Sequence, residues 1–113
     1  MVIASVLANR KLRNGVCLMI KLDSGNVLLK RSQRRQLMTR LKRSIRLGQR
    51  VGNFFLTITM QRVGKFYEVL VSVQDSIGTL TCRSKRHDWR DALADLARRV
   101  ELWLHAQQLK HLA

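Results

Sequence analysis

The segment KRSQRRQLMTRLKRSIRLGQR, Lys30 to Arg50, holds nine Lys or Arg residues and no acid. Side chains of this kind do one sort of chemistry well, which is to hold anionic oxygen. A guanidinium is planar and permanently charged, so it can grip a phosphate through two parallel hydrogen bonds, while a lysine offers a point charge. No acid occurs between Ser24 and Tyr67, whereas eleven Lys or Arg residues do. A surface that only has to stay in water mixes its signs. Arg34, Arg35, Lys42, Arg43 and Arg46 are therefore the candidate phosphate contacts of this segment. A second cluster, Arg83, Lys85, Arg86 and Arg90, is the candidate extension of that contact. His87 lies within it and adds charge only when protonated.

Other chemistries find little support. Paired carboxylates are missing from the central region, and Asp88, Asp91 and Asp95 fit better as helix-cap and helix-surface acids. No glycine loop of the phosphate-cradling kind appears. No nucleophile and carboxylate accompany His87, so an acid–base role for it is not expected. Cys17 and Cys82, with three scattered histidines, do not make a zinc pattern and are expected as buried free thiols. No catalysis, metal or cofactor is expected. Among the aromatics, Trp89 and Trp103 belong to an apolar helix face and are expected in the core. Phe55 and Phe66 fall on the opposite sheet face, where they would either stack on bases or cover each other across a hairpin. That face, with Leu70, is also a rival homodimer surface to the monomer otherwise expected.

These side chains need a scaffold, and the composition permits one. The 113 residues suit one domain, and 46% apolar content supports a folded core. Twenty-two Lys and Arg against seven acids give a formal charge of +15, which favours polyanionic partners and says nothing about fold. There is no proline, so no Pro-rich linker divides the chain. The N-terminal apolar run is short and its basic residues follow it, which fits a signal peptide poorly. No stretch approaches the roughly 18 to 20 apolar residues of a membrane span. A soluble, cytoplasmic protein without a membrane partner is the expectation.

The elements follow from periodicity. Residues 2–7 read as either a short strand or a loose arm, and NRKLRNG as a basic turn, so residues 1–15 form an N-terminal extension or extra strand. Residues 16–113 form the single domain. VCLMIKL, bounded by Gly15 and DSGN, reads as a strand, and Val27 to Leu29 as a short extended piece. Leu37, Leu41 and Ile45, with Met38, make a helical stripe, with Ser32 as N-cap and Gly48 as stop. NFFLTITM, KFYEVLVSV and TLTCRS alternate as strands, the first two joined through QRVG, in a sheet expected to be antiparallel. Asp88 caps a last helix whose apolar face is Trp89, Ala92, Leu93, Leu96, Val100, Trp103 and Leu104, with Leu109 extending it. The order is β-α-β-β-β-α. An α+β two-layer sandwich follows, with a four-stranded sheet and both helices packed on one face.

This order, together with the run GTLTCRSKRHDWRDALADLARRVELWLHAQQLKH, resembles the short ribosome hibernation-promoting factors, the ribosome-associated inhibitor family. Asp88 stands at that family's acidic cap, Trp89 at its first large apolar position, and Ala92 and Leu93 at the small and apolar positions that follow. Arg90 departs from the pattern where an aromatic is usual, as does SKRH where acids are usual. The resemblance implies a cytoplasmic stress factor that binds ribosomal RNA of the small ribosomal subunit in the channel for messenger and transfer RNA. It implies silenced translation without catalysis. The alternative is a double-stranded RNA-binding domain, whose order is α-β-β-β-α and whose glycine spacing and lysine pair are not met here. Either protein would recognise shape and phosphate before base sequence.

Overall fold

A computed structural model describes residues 5–11, 17–75 and 78–112, with side chains described from residue 17 onward except at 51 and 110–112. The elements are β1 (Ser5–Lys11), β2 (Cys17–Asp23), α1 (Arg31–Val51), β3 (Phe54–Val63), β4 (Phe66–Asp75), β5 (Thr79–Arg86) and α2 (Trp89–Leu112). From β2 onward this is the expected β-α-β-β-β-α order, with four strands and two helices. A fifth strand, β1, precedes it. Part of the stretch read as a basic turn is strand, because Asn9, Arg10 and Lys11 pair with Met19, Leu18 and Cys17. Residues 2–4 and 12–15 of the N-terminal readings lie outside the described residues.

The sheet runs in the order β1-β2-β3-β4-β5. It is mixed and not purely antiparallel: β2 and β3 are parallel, from Leu18 beside Phe54 to Asp23 beside Thr59. The reason is α1, which carries the chain back across the sheet so that β3 starts at the same end as β2. The other neighbours are antiparallel. Strict alternation places Phe54, Leu56, Ile58 and Met60 of β3 and Val69, Val71 and Val73 of β4 on one buried face. Both helices cover that face, α1 over β3 and α2 over β4 and β5, and they touch each other. Leu37 and Leu41 of α1 meet Ala92, Leu93, Leu96, Val100 and Leu104 of α2 in the same core.

Several local assignments move. The N-cap of α1 is Lys30, not Ser32, and the Gln33 side chain accepts a hydrogen bond from the Lys30 N–H at 2.8 Å. Its C-cap is Gly52, whose φ of 134° suits glycine, and not Gly48. Gly48 serves packing instead: a Cβ there would land on the Phe54 ring. The buried stripe of α1 runs through Leu37, Leu41, Ser44 and Leu47, while Met38 and Ile45 are only partly buried. Residues 27–29 form no strand, and Leu28 is 95% exposed. Leu109 is 68% exposed and extends nothing. Cys17 and Cys82 are free but half-buried.

The two turns that aim the basic elements are well specified. At the β3–β4 hairpin, Val63 pairs directly with Phe66, so the turn is Gly64–Lys65 and both strands run past the QRVG expectation. Gly64 takes φ 59° and Lys65 has no positive φ, the pattern of a II′ turn with glycine first. At the start of α2, the Asp88 carboxylate accepts the Arg90 N–H at 2.9 Å, which is the expected cap, and Asp91 lies in the first turn.

Candidate nucleic-acid interface

The 21 residues of α1 distribute their charge around a cylinder. At 3.6 residues per turn, Arg31, Arg35, Lys42 and Arg46 fall within about 60° of arc, opposite the Leu37–Leu41–Ser44 stripe. All four are exposed, as are Arg43 and Arg50 on the α2 side of that arc. Arg34 sits on the other flank and is half-buried. Among the described residues no acid forms an ion pair with Arg34, Arg35, Lys42, Arg43 or Arg46. Neither does the helix itself supply one, since its first turn is free of acids. Arg50 in the last turn meets the negative end of the helix dipole, which favours it there.

Arg40 behaves differently. It lies on the flank facing α2, where its guanidinium pairs with Glu101 at 3.5 Å and donates to the Ala94 carbonyl at 3.3 Å. The buried Ser44 hydroxyl donates to the same Glu101 carboxylate at 3.5 Å. These contacts lock the two helices in register and leave a groove of about 590 Å³ between their outer edges. Arg40, Lys42, Arg43, Arg46, Arg50 and His105 line it. Lys42 and Arg46 also border a more apolar groove of about 330 Å³ on the opposite flank, floored by Leu18, Ile20, Met38 and Ile45. The outer edge of α1 is thus a ridge of cations between two depressions. A polyphosphate backbone laid along such a ridge meets charge without having to displace acids.

The second cluster does not stay together. Arg83 and Lys85 alternate onto the open face of the sheet, while Arg86 points to the helix side. Arg83 pairs with Glu68 at 3.6 Å. Arg86 and Arg99 both reach the Asp95 carboxylate, at 3.5 and 3.1 Å, and the buried Ser84 hydroxyl donates to it at 3.0 Å. Arg90 lies over the Trp89 ring, pairs with Asp88 at 3.6 Å and donates from Nε to Gln36 at 2.9 Å. Lys85 stands 5.2 Å from the centre of the Phe66 ring, and His87 packs on that same ring at 4.4 Å. Three of these cations therefore already have carboxylate neighbours.

Phe55 and Phe66 do not cover each other. Phe55 is paired with Gln74 at one end of the hairpin and Phe66 with Val63 at the other. Trp89 is buried as expected, and Trp103 is partly buried against the core. Burial pushes the pKa of the half-buried Cys82 thiol up, with Arg99 opposing the shift and Asp95 adding to it. Among the described residues no three His, Cys, Asp or Glu side chains gather as metal ligands, and no helix is long and apolar enough to cross a membrane.

No family model matches the chain, and no curated protein matches it. Solved structures do share its fold. The Protein Y N-terminal domain of Thermus thermophilus superposes with a TM-score of 0.63 at 18% identity, over 77% of this chain and 90% of the other. A ribosomal subunit interface protein from Coxiella burnetii gives a TM-score of 0.63 at 13% identity, over 81% of this chain and 97% of the other. At such identities the likeness is one of fold. The architecture is the one that the sequence resemblance implied.

Sequence reasoning overlooked Arg31, Arg50 and His105. The first two are recoverable from the helical repeat, which sets Arg31 on the outward arc and Arg50 beside it on the α2 side. His105 carries no such signal, because only the packing of α2 against α1 brings it to the groove.

Proposed function

We propose that the protein is a non-catalytic RNA-binding factor that docks on ribosomal RNA of the small ribosomal subunit, occupies the channel for messenger and transfer RNA, and stops translation. The observation that carries the reading is the outer edge of α1, where Arg35, Lys42, Arg43 and Arg46 are exposed and without acid partners among the described residues. An excess of +15 makes a polyanion the natural partner. The ribosome enters through the sequence resemblance and through the shared fold, since one structural relative is a ribosomal subunit interface protein. The reading assigns residues 16–113 to one RNA-binding domain acting as a monomer in the cytoplasm.

Co-sedimentation with separated ribosomal subunits, run beside a cell-free translation assay, tests it. The expected result is saturable binding to the small subunit and inhibition at stoichiometric amounts. Equal binding to any duplex RNA, with translation untouched, would instead make this a duplex-RNA-binding protein that recognises shape and phosphates.

A further inference from the structure

The open face of the sheet ends, at the β3–β4 hairpin, in a feature that the α1 ridge does not use. Phe66 is the first residue of β4 and lies on the face away from both helices, so it contributes nothing to the core. Its ring stacks against His87 with centroids 4.4 Å apart and planes tilted by 34°. Lys85 Nζ stands 5.2 Å from the ring centre. Val63, its cross-strand neighbour, and Phe66 each remain 37% exposed. Lys65 is exposed in the turn between them.

The hairpin tip is also held in place. Strand β2 stops at Asp23, opposite Thr59, so β3 continues beyond its neighbour. The Asn26 side chain takes over where the strand ends: its Oδ1 accepts the Arg62 N–H at 2.7 Å and its Nδ2 donates to the Arg62 carbonyl at 3.2 Å. Gly25 permits this approach, with φ 54° and no room for a Cβ against the Met60 carbonyl. On the other face of the tip, Arg62 covers the Tyr67 ring at 5.6 Å. A part-exposed aromatic on a pinned hairpin has a histidine packed on it, one lysine over its ring and another in the adjoining turn, which combines apolar surface with nearby cations. Flat aromatic surfaces flanked by positive charge suit nucleobases, whose π-faces stack while the adjoining phosphates meet the cations.

We infer that Phe66, packed against His87 and flanked by Lys85 and Lys65, is a stacking platform for an unpaired nucleobase of the bound RNA. The inference rests on the reading that the partner is RNA. It adds a base-dependent contact, on the opposite layer of the molecule, to the phosphate-dependent one on α1. Phe55 has no such part, since it is half-buried between Gln74 and Met19 at the other end of β3.

The test compares a short single-stranded oligonucleotide with its abasic counterpart of equal length and charge, by titration against wild type, Phe66→Ala and Phe66→Tyr. Stacking contributes about 1–3 kcal/mol per base, so wild type is expected to prefer the base-bearing strand by about 5- to 160-fold. Phe66→Ala should lose that preference yet hold the abasic strand as tightly as wild type, and Phe66→Tyr should keep it. Phe66 and His87 ring-proton resonances should shift upfield only with the base-bearing strand. A wild type that binds both strands equally, or a folded Phe66→Ala variant that retains the preference, overturns the platform while leaving the α1 ridge standing. A wild type that binds neither strand overturns both.

Discussion

Along the outer edge of α1, Arg35, Lys42, Arg43 and Arg46 stand clear of acids, whereas at the β5–α2 corner Arg83, Arg86 and Arg90 each have a carboxylate within 3.6 Å. In the sequence the two clusters look alike, as dense runs of Lys and Arg. The difference teaches that formal charge and available charge are separate quantities. A cation with a carboxylate beside it must give up that contact, or share it, before it can hold a phosphate. One without such a neighbour exchanges only its water and counterions. The corner spends its charge on architecture: Asp95 gathers Ser84, Arg86 and Arg99, and Arg90 ties the start of α2 to Gln36 of α1.

The largest expected effect comes from replacing Arg35, Lys42, Arg43 and Arg46 together with glutamine. Each lost phosphate contact lowers the slope of log affinity against log salt by about 0.7 to 1, so the slope should fall by about 3 to 4. Stability should stay within about 0.5 kcal/mol, because none of the four packs into the core. A salt titration of RNA affinity, with urea unfolding as control, reads both. Parallel slopes for the variant and wild type would remove α1 from the interface.

Asp95→Asn probes the opposite region. It weakens one anchor for Ser84, Arg86 and Arg99 at once and should cost about 1–3 kcal/mol in urea unfolding. It should also leave RNA affinity at low salt unchanged or higher, since two arginines lose their acid. Weaker RNA binding by a folded variant would show that Asp95 presents those arginines to the partner and does not hold them back.

The triple change Arg83, Arg86 and Arg90 to glutamine sharpens the comparison further. Its salt slope should drop by about 1 or less, well below that of the α1 variant, and its stability by about 1 kcal/mol. A drop as large as that of α1 would mean that the ion pairs open when RNA arrives, and that both clusters form one surface.

The smallest effect belongs to Cys82. Burial raises its thiol pKa, so the folded chain keeps that proton to higher pH than the unfolded chain does. Cys82 should therefore react with a thiol reagent more slowly in the folded protein than in urea. Stability should decline slightly as pH climbs beyond the ordinary thiol value of about 8.5. Both effects should vanish in Cys82→Ser, measured by reagent kinetics and by unfolding at two pH values.

Local rules went far with this chain. Two-residue alternation in β3 and β4 and four-residue spacing in α1 and α2 depend only on which side chains share a face, and faces are set by backbone repeat. The Asp88 cap is equally local, since a carboxylate meets an N–H two residues away. The outward arc of α1 follows from the same repeat, as do the places of the overlooked Arg31 on it and Arg50 beside it. What the sequence could not decide were matters of distance. Gly48 looks like a helix stop by composition, and only the Phe54 ring pressing on it from β3 shows why glycine is needed there. The direction of β2 against β3, the arrival of His105 at the groove and the pairing of Phe66 with His87 all join residues far apart in the chain. The same holds for the charges: whether an arginine is free for a phosphate depends on acids such as Glu68 and Asp95, brought near only when sheet and helices pack. Backbone periodicity is a short-range property that the sequence carries openly, whereas the pairing of Arg83 with Glu68 and of Arg86 with Asp95 is a longer-range one that only the tertiary structure decides.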